Sequence, residues 1–102
     1  MSFIDELRVK LHDALQLELL EIKDFSAHHK DHDGAHKDGE SHLHAVIVSA
    51  AFEGESRLVR HKMVHALLRR ELESGRLHAL SLVTLTPKEY QLGIQRKTQP
   101  QQ

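Results

Sequence analysis

The sequence predicts an α+β fold in the order α-β-β-α-β-α, with a three-stranded mixed sheet and helices packed on one side. Three observations lead there. Apolar residues recur at helical spacing near the start of the chain and again over residues 57–73, three shorter stretches alternate with a period of two, and cap or turn signals stand at the junctions. The 102 residues suffice for one domain, taken as 1–95, followed by a polar tail, 96–102, expected to be disordered.

Ser2 is placed to cap the first helix, with Asp5 and Glu6 in its opening turn, where the helix dipole favours acids. Phe3, Leu7, Leu11 and Ala14 or Leu15 give that helix one apolar stripe. From Leu17 the period changes: Leu20 and Ile22 alternate with Glu21 and Lys23, a short strand with one wet face. Residues 24–39 break every period and hold His28, His29, His32 and His36 among Asp, Lys and Gly, an exposed loop longer than most connections. Residues 40–51 read as the second strand, with Leu43, Ala45 and Ile47 on one face, so that the two strands form a hairpin with an oversized tip.

Phe52-Glu53-Gly54-Glu55 is a turn, and Ser56 caps the next helix. Residues 57–73 are expected as the longest helix, burying Val59, Met63, Val64, Leu67, Leu68 and Leu72, with Arg57, Arg60, His61, Lys62, Arg69 and Arg70 as its basic outer surface. Gly75 ends it. Residues 75–85 then read as a central strand buried on both faces, because Leu80, Leu82 and Thr84 alternate with Ala79, Ser81, Val83 and Leu85. Reached by a helical crossover, this strand should run parallel to a strand of the hairpin. Thr86-Pro87-Lys88-Glu89 combines a cap, a proline at the first helical position and a capping-box glutamate. Gly93 is expected to keep that last helix short.

Composition narrows the function. A net charge of −1 gives no global basic field. No apolar run is long enough to span a bilayer and no signal-peptide pattern opens the chain, so no membrane partner is expected and the cytoplasm is the default compartment, or an organelle if a transit peptide has been removed. Without cysteine there is neither a disulfide nor a thiolate metal site. No Ser-His-Asp set, Gly-rich phosphate loop or carboxylate pair suggests an enzyme. Ten histidines in so short a chain are the anomaly. His78, just past the Gly75 turn, opens the third strand, where rigid structure can hold an imidazole whose tip still reaches a ligand or partner; the plainer role is a hydrogen bond that orients the turn.

Glu40-Ser41-His42, Val46-Ile47-Val48-Ser49, Phe52-Glu53-Gly54, Arg60-His61-Lys62, His78-Ala79-Leu80-Ser81-Leu82 and Thr86-Pro87-Lys88-Glu89, in this order and spacing, resemble the BolA family over roughly residues 7–89. The resemblance implies a fold like a type II KH domain. It also implies a protein that pairs with a monothiol glutaredoxin as a heterodimer and shares with it a glutathione-ligated 2Fe-2S cluster, in cluster trafficking and iron homeostasis. By the same resemblance His78 is a cluster ligand, and a second ligand comes from the loop between the first two strands. Ser26, His29 and His32 match the family's histidine-loop pattern Ser-x-x-His-x-x-His, with His32 preferred and His29 next; His28, His36 and Lys30-Asp31 depart from it.

Chemistry is in keeping with a shared site. Imidazole can replace two thiolates on one iron, so a chain with histidines and no thiol can supply half of the ligands. Each ligating nitrogen must be neutral, and binding should weaken in acid. No cluster is expected in the isolated chain, itself a monomer or weak homodimer. His42 and His44, read as lying on opposite faces of the second strand, are expected to be structural, and His61 with His65, one helical turn apart, to be surface or packing residues. DNA is the second partner class: Arg57, Arg60, His61 and Lys62 could meet nucleic acid or dock the glutaredoxin, although Gly-x-x-Gly and stacking aromatics are lacking. A loop that only buffers metal ions is the third reading.

Overall fold

The computed structural model describes residues 2–25 and 42–98. Helix α1 (Phe3–Leu15) starts at a reciprocal capping box: the Asp5 amide donates to Ser2 Oγ at 3.1 Å, and the Ser2 amide donates back to the Asp5 carboxylate at 3.4 Å. Phe3, Leu7, Leu11 and Leu15, four apart, are its buried stripe; Ala14 points to solvent. Gln16, in the left-handed region at φ 51°, turns the chain into β1 (Leu17–Asp24). β1 pairs antiparallel with β2 (His42–Ser49), with a register irregularity between Leu17 and Leu19. A 3-10 turn, Ala50–Phe52, comes next, and Gly54 with its positive φ completes the reversal into α2 (Arg57–Leu67), capped by Ser56.

The helix expected over residues 57–73 is in fact two. At Leu68 the backbone leaves the helical region (φ −106°, ψ 17°), and α3 (Arg69–Glu73) continues beyond it. The hydrogen bonds survive the bend: Leu68 donates to the Val64 carbonyl and accepts from the Leu72 amide, both at 3.0 Å. Lys10 of α1 reaches Glu71 of α3 at 3.0 Å, fixing the bent segment to the first helix. Gly75, at φ 83°, then allows the turn into β3 (Ala79–Leu85).

β3 is parallel to β2, and the sheet order is β1-β2-β3. The expectation that residues 75–85 form the central strand, buried on both faces, is therefore wrong. β3 is an edge strand: Leu80, Leu82 and Thr84 turn inward, while Ala79, Ser81 and Val83 are exposed. Two of those outward residues are small or hydroxylated, and an outward face of that kind imitates burial in a pattern read by period alone. The central strand is β2, where Leu43, Ala45, Ile47, Val48 and Ser49 are buried. One core unites the α1 stripe with Leu43, Ala45, Ile47, Phe52, Val64, Leu68 and Leu77. The architecture is the predicted one, with the crossover helix divided.

Helix α4 (Pro87–Thr98) begins at the expected capping box, Glu89 amide to Thr86 Oγ1 at 3.1 Å and Thr86 amide to the Glu89 carboxylate at 2.9 Å. It does not stop at Gly93, and it takes in residues 96–98 of the expected tail. One helical glycine lowers stability by about 1 kcal/mol relative to alanine and does not forbid the helix.

Two polar residues lock these parts together. Ser49, fully buried, donates its hydroxyl to the Leu15 carbonyl at the end of α1 and accepts the Ala51 amide at 3.0 Å. Arg60 turns inward from α2, contrary to its expected place on a basic outer surface. Its guanidinium donates to the Glu55 carbonyl (2.9 Å), the Thr84 carbonyl of β3 (3.1 Å) and both oxygens of Glu89 (2.7 and 3.2 Å). Val59, expected on the buried side, is 38% exposed, because the inward stripe runs through Arg60 and Val64 and Val59 stands one position off it. The hydrogen bond to Glu89 raises the Arg60 pKa against the opposing effect of desolvation. Arg60, and then the Thr86 amide, hold the Glu89 carboxyl below its ordinary value.

Ser49→Ala leaves the Leu15 carbonyl without its donor and should cost roughly 1–3 kcal/mol in urea unfolding. Glu89→Gln keeps a capping side chain and removes only the charge, so it should cost about 1 kcal/mol at neutral pH, the carboxylate being partly exposed. The folded carboxyl is the stronger acid, so the unfolded chain takes up the proton first as pH falls. The Glu89 contribution is complete above the ordinary value of 4.5 and disappears as pH drops through the lower folded value. The gap between wild type and Glu89→Gln, followed by unfolding at several pH values, should close on the acid side.

Candidate functional site

Leu77 and Ala79 determine where His78 sits. Leu77 is buried in the core and its amide donates to the Glu71 carbonyl at 3.0 Å; Ala79 enters the sheet opposite His42. Between a core anchor and a paired strand residue, the backbone of His78 has little freedom, while its side chain is exposed. The placement expected for an imidazole at the start of the third strand is thus what the structure has.

His78 has a second imidazole beside it. The ring of His42, at the first position of β2, lies 6.0 Å from that of His78, centroid to centroid, and within 11° of parallel. Two residues along, His44 Nδ1 and Ser81 Oγ are 3.0 Å apart across the same pair of strands, and Phe25 meets the His44 ring edge-on at 6.2 Å. His42 and His44 therefore share one face of β2 rather than occupying opposite faces, as side chains two apart on a strand must. Their partners on β3 are set by the parallel register, His42 to Ala79 and His44 to Ser81.

His29 and His32, with His28 and His36, lie outside the described residues. The two residues that bound that segment do not: the Phe25 amide donates to the His42 carbonyl at 2.7 Å. The segment leaves and rejoins the sheet beside the His42–His78 pair. Among the described residues no group of three or more His, Asp or Glu side chains is placed to hold a metal ion. Among the described residues, His78 is offered as an exposed imidazole next to the ring of His42.

The expected basic surface is divided. Arg57 and Lys62 are exposed, His61 is half-buried, and Arg60 is committed to Glu89 and two carbonyls. Arg57 and Arg60 stand at a groove of about 880 Å³, whose apolar walls include Val46, Val83 and Leu92 and which contains no histidine. His65 is exposed on α2. Sequence reasoning misplaces Arg60, which reads as part of a basic outer surface although it stands four positions before the buried Val64.

The chain matches the BolA-like protein family model over residues 11–89. It is 45% identical over 87 residues to the Arabidopsis thaliana SufE-like protein 1, chloroplastic/mitochondrial, covering 81% of this chain and 23% of that protein. It is 40% identical over 95 residues to the DNA-binding transcriptional regulator BolA of Escherichia coli K12, covering 93% of this chain and 85% of that one. The solved structure of BolA1 from Arabidopsis thaliana superposes with a TM-score of 0.77 at 42% identity, over 87% of this chain and 96% of that one. The chain spans 23%, 52% and 65% of the length of three curated relatives, two from Arabidopsis thaliana and one human. With the helix-strand order, the strand-start histidine and both capping boxes in place, the chain belongs to the BolA-like family.

Proposed function

We propose that this protein is an adaptor that pairs with a monothiol glutaredoxin and contributes His78 and one loop imidazole, His32 or His29, to a bridging 2Fe-2S cluster. The observation that carries this reading is the exposed His78 on a fixed strand start, beside both ends of the histidine-bearing segment. The cluster, as cargo, supplies open coordination positions on iron; the partner's cysteine and glutathione supply the thiolates that this chain lacks. His78 would present a ring nitrogen from a backbone held by Leu77 and by strand pairing, and His32 or His29 would supply the second nitrogen. The protein performs no reaction of its own in this reading. An organelle is as suitable a compartment as the cytoplasm, given a relative named chloroplastic/mitochondrial.

A second reading, DNA binding, is favoured by the name of the Escherichia coli relative and by the exposed Arg57 and Lys62. Arg60 contributes little to it, since phosphate would have to displace Glu89.

Titration with cluster-loaded monothiol glutaredoxin, followed by visible absorption and circular dichroism, decides between them. Wild type should form a heterodimer and change the cluster spectrum. His78→Ala should lose that change, and whichever of His29→Ala and His32→Ala also loses it names the loop ligand. Wild type that forms no complex and leaves the spectrum untouched would end the adaptor reading and turn attention to salt-dependent DNA binding at Arg57 and Lys62.

A further inference from the structure

The groove beside α4 is a feature the adaptor reading does not use. Its floor is set by strand register. Glu21 of β1 pairs with Val46 of β2, and Val46 with Val83 of β3, so the three side chains form one row across a single face of the sheet. The groove measures about 880 Å³, within the usual range of ligand sites. Leu92, Gly93 and Ile94 of α4 line it too, and Val83, Leu92 and Ile94 are large apolar side chains left exposed.

Charge is laid out along that row. Arg60 and Glu89 line the groove and neutralise each other. Glu21 and Arg57 are exposed, and among the described residues neither side chain has an ion-pair partner. Glu21 stands on the β1 side. Arg57, three positions before Arg60 on α2, stands on the β3 side, where Arg60 reaches the Thr84 carbonyl. Two strand spacings of about 4.8 Å separate Glu21 from Val83, so the backbones that carry the two unpaired charges are roughly 10 Å or more apart.

Gly93 is the third observation. It sits inside α4, where glycine is the weakest helix former short of proline. Its φ is not positive, and a Cβ built on it would meet nothing within 4 Å among the described residues. Nothing in the packing of α4 therefore requires the glycine, whereas the groove it lines is wider for the missing side chain.

We propose that this groove is a docking site for a short extended peptide segment of a partner protein. An acidic residue of the segment pairs with Arg57, a basic residue pairs with Glu21, and the apolar side chains between them lie on Val46, Val83 and Leu92. Three or four extended residues, at about 3.3 Å each, span the distance between the charges. The main chain of the segment passes Gly93. Nucleic acid fits less well, since Glu21 and Glu89 line the same groove. The site is separate from His78: Val46 is four residues from His42 along β2, about 13 Å, and the proposal stands whether or not the chain takes a cluster.

The probe comes from a random nonapeptide display library selected against the full chain. The most enriched peptide is then synthesised and titrated, with backbone amide shifts followed by NMR. Enriched peptides should share an apolar centre flanked by one acid and one base, and the shifts should centre on Val46, Val83 and Gly93. Arg57→Glu should weaken binding about tenfold, and a peptide with its acid changed to lysine should restore it. Gly93→Ala should raise the Tm of the free protein by a few degrees and yet weaken the peptide, a pair of changes that a purely structural glycine would not give. Arg57 is exposed and Gly93 has room for a methyl group, so both variants should fold. A library that yields no binder, shifts confined to another face, or a Gly93→Ala protein that binds as tightly as wild type would overturn the proposal. A single-stranded oligonucleotide that shifts the groove signals when no peptide does would overturn it in favour of nucleic acid.

Discussion

The parallel register between β2 and β3 is the constraint on which the rest of this molecule depends. His42 opposite Ala79 and His44 opposite Ser81 put three imidazoles at one end of a strand pair, and a slip of β3 by one residue would turn its side chains to the other face. Parallel pairing needs a crossover, and here the crossover is α2 and α3, whose flanking Val64 and Leu68 are buried in the core shared with β2. The register is held at both ends of β3. Leu77 is sunk in the core at the start, and Arg60 takes the Thr84 carbonyl near the finish.

Arg60 shows how a small domain uses a charge that is nearly removed from water. A guanidinium with a side chain 12% exposed must recover its lost hydration, and it does so through two backbone carbonyls and a two-oxygen contact with Glu89. Glu89 serves twice, closing the capping box of α4 and pairing with α2. The start of the last helix, the end of the edge strand and the crossover helix thus meet at one polar junction. Apolar contact alone would leave the direction of α4 less defined, because dispersion and burial are not directional.

Where local chemistry determines structure, the sequence is readable. The capping boxes at Ser2 and Thr86 and the stripe of Phe3, Leu7, Leu11 and Leu15 come from bonds and contacts within one or two helical turns. His78 at a strand start is legible for the same reason, since Gly75 and the alternation after it are adjacent in the chain. Strand order is different in kind. Which edge receives β3 depends on how the crossover packs, and nothing inside residues 75–85 records it. Arg60 and Glu89 stand 29 residues apart, and neither betrays the other in sequence. The nearness of the His42 and His78 rings is likewise a product of register between two strands, invisible to a period taken along either one.

The same division between local and tertiary control bears on how a half-site can bind tightly. A ligand held by a long flexible side chain on a loop must be ordered at the moment of binding, at a cost of order 1 kcal/mol for each side chain immobilised. His78 avoids most of that cost in its backbone, because Leu77 and Ala79 are already fixed by the core and the sheet. The entropy of bringing the two ends of the intervening segment together is likewise spent when the chain folds, since Phe25 and His42 are joined at 2.7 Å. In the proposed adaptor reading, His78 is thus a donor on a rigid strand start, next to the closed base of a histidine-rich segment. Closure at Phe25 and His42 is a backbone bond, so in that reading it does not depend on which of His29 and His32 would supply the second nitrogen.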